Sequence, residues 1–229
     1  MKTRSGASTT QSLNILWGTC TPTSTKPHRY IYAEWNERST GASTAFAFNH
    51  VIRAHSDPSD KGIRDVKGRW QNIPSGHPHV DYSGHPEHIA ATQREIDPNL
   101  PPHVSALYSG SSRFAYINVW RPPSIIYKDP LAVCDCTSVP DSDYQIRLRY
   151  FNRTGISSGN YVMSHGSERN QHEWWYMSQM QDDEVVVFRE YDSEMTGGWR
   201  CPHSAFQLEK TDGLKPRESI EVRLVCFWE

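Results

Sequence analysis

Six short runs dense in Val, Ile, Phe, Tyr and Trp, cut apart by glycine and proline at irregular intervals, restrict this chain to a β-rich fold. They are TAFAFNHVI at 44–52, RFAYINVW at 113–120, YQIRLRYF at 144–151, NYVMSH at 160–165, EVVVFREYD at 184–192 and IEVRLVCFW at 220–228. Such side chains fit the pleated, half-buried surface of a sheet. The clearest helical stretch is PEHIAATQREI at 86–96, following Gly84, with Ile89, Gln93 and Ile96 spaced along one face. Many strands beside one helix predict a sandwich or barrel decorated with helices. Residues 1–25, rich in Ser and Thr, read as a loosely ordered tail, and 55–78 as a long irregular loop. The expected division is a tail and lead-in segment over 1–43 and one folded domain over 44–229.

Composition narrows the functional classes. Lys plus Arg total 24 against 26 Asp plus Glu, a formal charge of −2, which lacks the basic footprint that a nucleic acid partner requires. The first thirty residues carry no apolar core of a signal peptide, and no run reaches the apolar length of a membrane span, so a cytoplasmic protein is expected. Five cysteines, Cys20, Cys134, Cys136, Cys201 and Cys226, are odd in number and irregularly spaced, which suits reduced thiols. Cys134 and Cys136 have no second pair at zinc-finger spacing and read as two buried apolar thiols.

The densest cluster of metal-binding residue types is HPHVDYSGHPEH at 77–88. Within it His79 and Asp81 form an H-x-D whose side chains share one face of an extended segment. A neutral imidazole and a carboxylate can grip one metal, and His203 in WRCPHSAF is the best third donor. Two histidines and a carboxylate on one triangular face leave positions open for co-substrate and oxygen on iron(II), although a zinc hydrolase can use the same three ligands. His77, His85 and His88 read as surface or loop histidines, and QDDE at 181–184 as a solvated turn. Downstream, Arg217 and Ser219 stand two apart on a predicted strand, so they share a face and can bind one carboxylate, with Arg223 as the rival anchor. That face also carries Glu221, while Ile220, Val222, Leu224 and Cys226 line the other. Asn118, Trp120 and Arg121 in NVWRPP are further candidates for the pocket.

The order H-x-D, distal His, R-x-S resembles that of the iron(II)- and 2-oxoglutarate-dependent oxygenases. More specifically, HVDYS, INVWRPP followed by DPLAVCDCTSV, then WWYMSQMQDDEVVVFREYDSE, PHSAF and RESIEVRLVCF resemble the fungal hydroxylase/desaturase family that includes gibberellin desaturase and the AsaB-like and CmcJ-like proteins, from about residue 44 to the end. The resemblance implies a mainly β fold with a double-stranded β-helix (jelly-roll, cupin-like) core and a few peripheral helices. It also implies His79, Asp81 and His203 as ligands of Fe(II), Arg217 and Ser219 as the 2-oxoglutarate anchor, and 2-oxoglutarate and O2 as co-substrates. The implied activity is hydroxylation or desaturation of a small molecule of secondary metabolism. A second reading is a truncated jelly-roll relative that serves binding or scaffolding.

Overall fold

The structure, a computed structural model, describes residues 2–4, 15–19, 40–53, 74–111, 113–150, 157–166 and 171–229. Most of the loop expected at 55–78, and Cys20, lie outside the described residues. The strands are β1 (Lys2–Arg4), β2 (Ile15–Thr19), β3 (Thr44–Arg53), β4 (His79–Val80), β5 (Arg113–Arg121), β6 (Leu131–Cys134), β7 (Tyr144–Tyr150), β8 (Ser157–Met163), β9 (Trp174–Met177), β10 (Glu184–Asp192), β11 (His203–Ala205) and β12 (Ser219–Trp228). Helix α1 spans Pro86–Ile96, and two single-turn helices, α2 (Pro102–Ser105) and α3 (Leu107–Gly110), follow it. Among the described residues no helix is long and apolar enough to cross a membrane.

The strands form two sheets. One has seven strands in the order β1-β9-β6-β11-β4-β8-β7 and the other five in the order β2-β10-β5-β12-β3. Every pairing is antiparallel except β1 with β9. The tail expected to be loosely ordered therefore supplies an edge strand to each sheet: β1 lies beside β9, and β2 beside β10. Each segment finds an unpaired edge whose backbone groups it satisfies, a tertiary opportunity that composition does not show.

Side-chain alternation sets what each face buries. On β12, Val222, Leu224 and Cys226 join Ala115, Ile117, Val119, Val185 and Val187 in a cluster on one face of the five-stranded sheet, with Ile220 packed against it. The opposite face of that sheet looks at the seven-stranded one, where Trp120, Val186 and Phe188 pack with Leu131, Val133, Met177 and Cys201. Where the sheets part, α1 fills the gap: Ile89 and Ile96 meet Tyr116, Tyr191, Val225 and Phe227. Its buried face is Ile89, Ala91, Thr92 and Ile96, so Thr92 stands where the apolar spacing pointed to Gln93. Of the two thiols expected to be buried, Cys134 is and Cys136 is only half-buried; Cys201 is a buried free thiol as well.

Candidate metal and co-substrate site

The site lies between the sheets, and its parts come from both. His79 on β4 and His203 on β11 are direct partners across the strand pair, and directly opposed residues share a face. Their ring centroids are 4.3 Å apart. Asp81, just past β4, stands two residues on from His79 and returns to the same side. One donor atom from each of His79, Asp81 and His203 lies within 4.8 Å of the others, and all three residues are buried.

Each imidazole has one nitrogen already engaged. His79 Nδ1 donates to the carbonyl oxygen of His77 at 2.6 Å, which leaves Nε2, 3.7 Å from Asp81 Oδ1, with its lone pair unspent. His203 Nδ1 lies 3.1 Å from Glu190 Oε1 and 3.3 Å from the carbonyl oxygen of Cys201, so its Nε2 is likewise the remaining donor. Burial, helped by the neighbouring His203, brings His79 down to about 4 and keeps it neutral. Burial pulls His203 the same way, but the Glu190 carboxylate outweighs it and raises the imidazole to about 9.

Asp81 is held by the other sheet. Its Oδ2 is 2.9 Å from Arg223 Nη2 and accepts from Asn118 Nδ2 at 3.3 Å, while its backbone N–H donates to Glu190 Oε2 at 2.6 Å. Burial opposes the charge on Asp81, yet Arg223, followed by the two histidines, holds the carboxyl well below the usual carboxylate range. Glu190, fully buried, is pushed up to about 7 by burial against the opposing pull of His203. Arg223 is also 3.0 Å from Glu221 Oε1, so its guanidinium is already flanked by two carboxylates.

Arg217 and Ser219 occupy a second corner. Both are 3% exposed, and Arg217 Nε and Ser219 Oγ lack hydrogen-bond partners among the described residues although they are buried. Arg217 Nη1 donates to the carbonyl of Asp129 at 2.8 Å, and its guanidinium carbon is 5.2 Å from the Trp120 ring centre. Asp129 adopts φ 51°, a left-handed conformation uncommon for a residue with a side chain, immediately before Pro130. Burial, and then the like charge of Arg53, lowers Arg217 to about 10, the mark of a cation short of a counter-anion. Arg53 faces Ser219 across the β3–β12 pair.

Of the residues singled out in the sequence, His79, Asp81, His203, Asn118, Arg223, Trp120, Arg217 and Ser219 come together here. Arg121 does not: it sits on the other face of β5 from Trp120 and donates to the carbonyl of Asp182 at 2.5 Å, because successive strand residues point to opposite sides. His77 and His85 are exposed, and His88 packs on β8 with its Nδ1 2.6 Å from Ser83 Oγ. Glu190 was not singled out. A signal existed: Val186, Phe188 and Glu190 share the period-two face of β10, so a carboxylate continues a core-facing stripe.

The donor set suits a divalent metal. Two neutral-capable imidazoles and an ionised carboxylate are the ligand types of a facial triad, with Glu190 and Glu221 adding negative charge around them. The two unpaired buried donors of Arg217 and Ser219 suit an anionic co-substrate.

The Oxidoreductase/YMDC permease-like domain family matches residues 29–227. The hydroxylase/desaturase efuI of Hormonema carpetanum is 32% identical over 212 residues, which cover 84% of this chain and 67% of the relative. The alpha-ketoglutarate-dependent dioxygenase phiK of a fungal species (strain ATCC 74256) is 31% identical over 199 residues, 85% of this chain and 67% of the relative. For the hydroxylase/desaturase CTB9 of Cercospora beticola the figures are 30% over 207 residues, 86% and 62%. The chain thus spans about two thirds of the length of these relatives. The solved structure of the iron and alpha-ketoglutarate-dependent endoperoxidase NvfI superposes with a TM-score of 0.73 at 23% identity, covering 94% of this chain and 77% of that one, which shows a shared fold.

Proposed function

The chain belongs to the oxidoreductase/YMDC permease-like domain family, alongside fungal hydroxylase/desaturases and alpha-ketoglutarate-dependent dioxygenases, and on that premise we propose an iron(II)- and 2-oxoglutarate-dependent oxygenase that hydroxylates or desaturates a small molecule. The observation that carries this reading is the pairing of two buried features: three convergent ligand-type side chains, and an Arg217 Nε and a Ser219 hydroxyl that find no hydrogen-bond partner among the described residues. Each such unsatisfied group costs on the order of 1–3 kcal/mol, a cost that an anionic co-substrate at Arg217 and Ser219 would offset.

In this reading His79 Nε2, His203 Nε2 and one oxygen of Asp81 would hold the iron. Bound iron(II), with 2-oxoglutarate and oxygen, supplies the oxidising power to remove hydrogen from a substrate carbon. The chain's own contribution is geometric and electrostatic. The carbonyl of His77 fixes the His79 tautomer, and Glu190 and the Cys201 carbonyl do the same for His203. Arg223 and Asn118 keep the Asp81 carboxylate ionised and oriented. Arg217 offers its fork, and Ser219 its hydroxyl, to the far carboxylate of 2-oxoglutarate. Phe188, whose ring centre is 4.9 Å from that of His203, and Trp120 beside Arg217 keep this corner dry. No side chain is asked to act as a general base.

A binding or scaffolding role leaves the matched pairing of ligand set and anion anchor unexplained, and the relatives are named as enzymes. The test is an anaerobic titration of the full chain with iron(II) and then 2-oxoglutarate, followed in the visible. A metal-to-ligand charge-transfer band should grow to one equivalent and weaken in Arg217→Ala. A chain that binds iron but never develops the band is not an oxygenase of this type.

A further inference from the structure

Strand β7, at the edge of its sheet, is open to solvent along most of its length: Ile146, Leu148 and Tyr150 are 47, 51 and 71% exposed, and Arg147 is exposed as well. Arg149 alone in this stretch is half-buried, and a half-buried cation on so open a strand calls for an explanation. Arg147 Nε donates to Asn160 Oδ1 at 3.2 Å. The Arg149 guanidinium makes no hydrogen bond or ion pair among the described residues, although its charge acts on Asp81, Tyr82 and Glu95.

Arg149 borders a cavity of about 330 Å³ together with Phe48 and Asn49 of β3, Tyr82, Arg223 and Glu95. The cavity adjoins the ligand set: Tyr82 directly follows Asp81, and Arg223 both lines the wall and lies 2.9 Å from the Asp81 carboxylate. The other polar groups of the wall are largely spoken for. Arg223 is neutralised by Asp81 and Glu221, and Thr92 and Ser158 bond to each other at 3.1 Å. Glu95 is exposed at the rim, where water screens it, and makes no ion pair with Arg149 among the described residues. What remains is one half-buried guanidinium, without an anionic partner at ion-pair distance among the described residues, in a wall that also carries the aromatic rings of Phe48 and Tyr82.

We propose that this cavity is the substrate chamber and that it takes a small molecule carrying a carboxylate, bound by Arg149, with its apolar part against Phe48 and Tyr82. The proposal rests on the oxygenase reading above. The volume falls at the lower end for small-molecule pockets and suits a compact substrate. A charge-assisted, fork-shaped contact at one end would hold the far end of the molecule toward the metal face.

The experiment uses the full chain loaded with Mn(II) under saturating 2-oxoglutarate, so that the Arg217 corner is filled, and reads relaxation of the ring protons of 3-phenylpropanoate and of its amide by NMR. The acid should be relaxed by the metal and bind about tenfold more tightly than the amide. Arg149→Gln should bring the acid to the level of the amide, and Arg149→Lys should keep most of the preference. Equal binding of acid and amide, no effect of Arg149→Gln, or no relaxation of either probe overturns the proposal. The visible band of the iron-loaded chain, read without the probe, separates a failure of the oxygenase reading from a failure of this one.

Discussion

Glu190 connects the two halves of the ligand set although it supplies no metal-facing atom itself. One of its oxygens receives the backbone N–H of Asp81 and the other faces Nδ1 of His203, so a single carboxylate on β10 steadies two ligands carried by the opposite sheet. Carboxylates in this position orient an imidazole and strengthen it as a donor. Glu190→Ala should therefore weaken metal binding about 10- to 100-fold, measured by equilibrium dialysis with Zn(II). Glu190→Gln can still accept from Asp81 N–H and should lose less. An unchanged affinity in Glu190→Ala would reduce the residue to a packing role. Arg223 offers the contrast: a half-buried arginine and the rival anchor by sequence, it is flanked by the carboxylates of Asp81 and Glu221, whereas the buried Arg217 has no carboxylate at hydrogen-bond distance among the described residues.

Among the elements, α1 and β8 meet unusually closely, and this contact closes the sandwich next to the substrate chamber. A Cβ on Gly159 would lie 2.4 Å from His88 Nδ1, so the strand admits the helix only because position 159 has no side chain. His88 is itself tied to Ser83 at 2.6 Å, which limits how far its ring can retreat. Gly159→Ala should destabilise the protein by about 1–3 kcal/mol, the scale of an overpacked contact. His88→Ala in the same chain should recover a large part of that loss, because the clash and the lost hydrogen bond share one ring. Additive effects in denaturant melts of the two single variants and the double variant would show that the clash is relieved elsewhere.

For the whole molecule, the seven-stranded sheet brings His79 and His203 while the five-stranded sheet brings Glu190, Ser219 and Arg223, with Arg217 on the segment that leads into β12. Metal and co-substrate would thus bridge the two sheets, and binding should stabilise the fold by mass action, by about 2.7 kcal/mol for one ligand at a hundredfold excess over Kd, and so raise the melting temperature. The metal must also displace a proton. His203 is raised to about 9 and so carries a proton at pH 7, while His79, lowered to about 4, is already neutral. Affinity should accordingly climb between pH 7 and 8.5 and level off above about 9, with roughly one proton released per metal at pH 7. Calorimetric titration with Zn(II) in buffers of different ionisation enthalpy counts that proton. Zero release would mean that His203 is neutral before the metal arrives.

Much of this architecture is local in origin, and that part could be read along the chain. A nine-residue run dense in β-branched and aromatic residues places β10 at Glu184–Asp192, and helical spacing places α1 at Pro86–Ile96, because each signal extends over enough of one element to be recognised. H-x-D and R-x-S are legible as spacings, although each straddles a strand end, with Asp81 just past β4 and Arg217 two residues before β12. Strands of two to four residues, such as β4, β6, β9 and β11, are too short to display a period, and two of them carry His79 and His203. Pairing across long separations is equally silent in the chain. Glu190 meets Asp81 across 109 positions, and β1 and β2 find the edges of β9 and β10 only once those sheets exist. Local stereochemistry sets which face a side chain takes, but which other face it meets depends on sheet order and register, which arise from the packing of the whole chain.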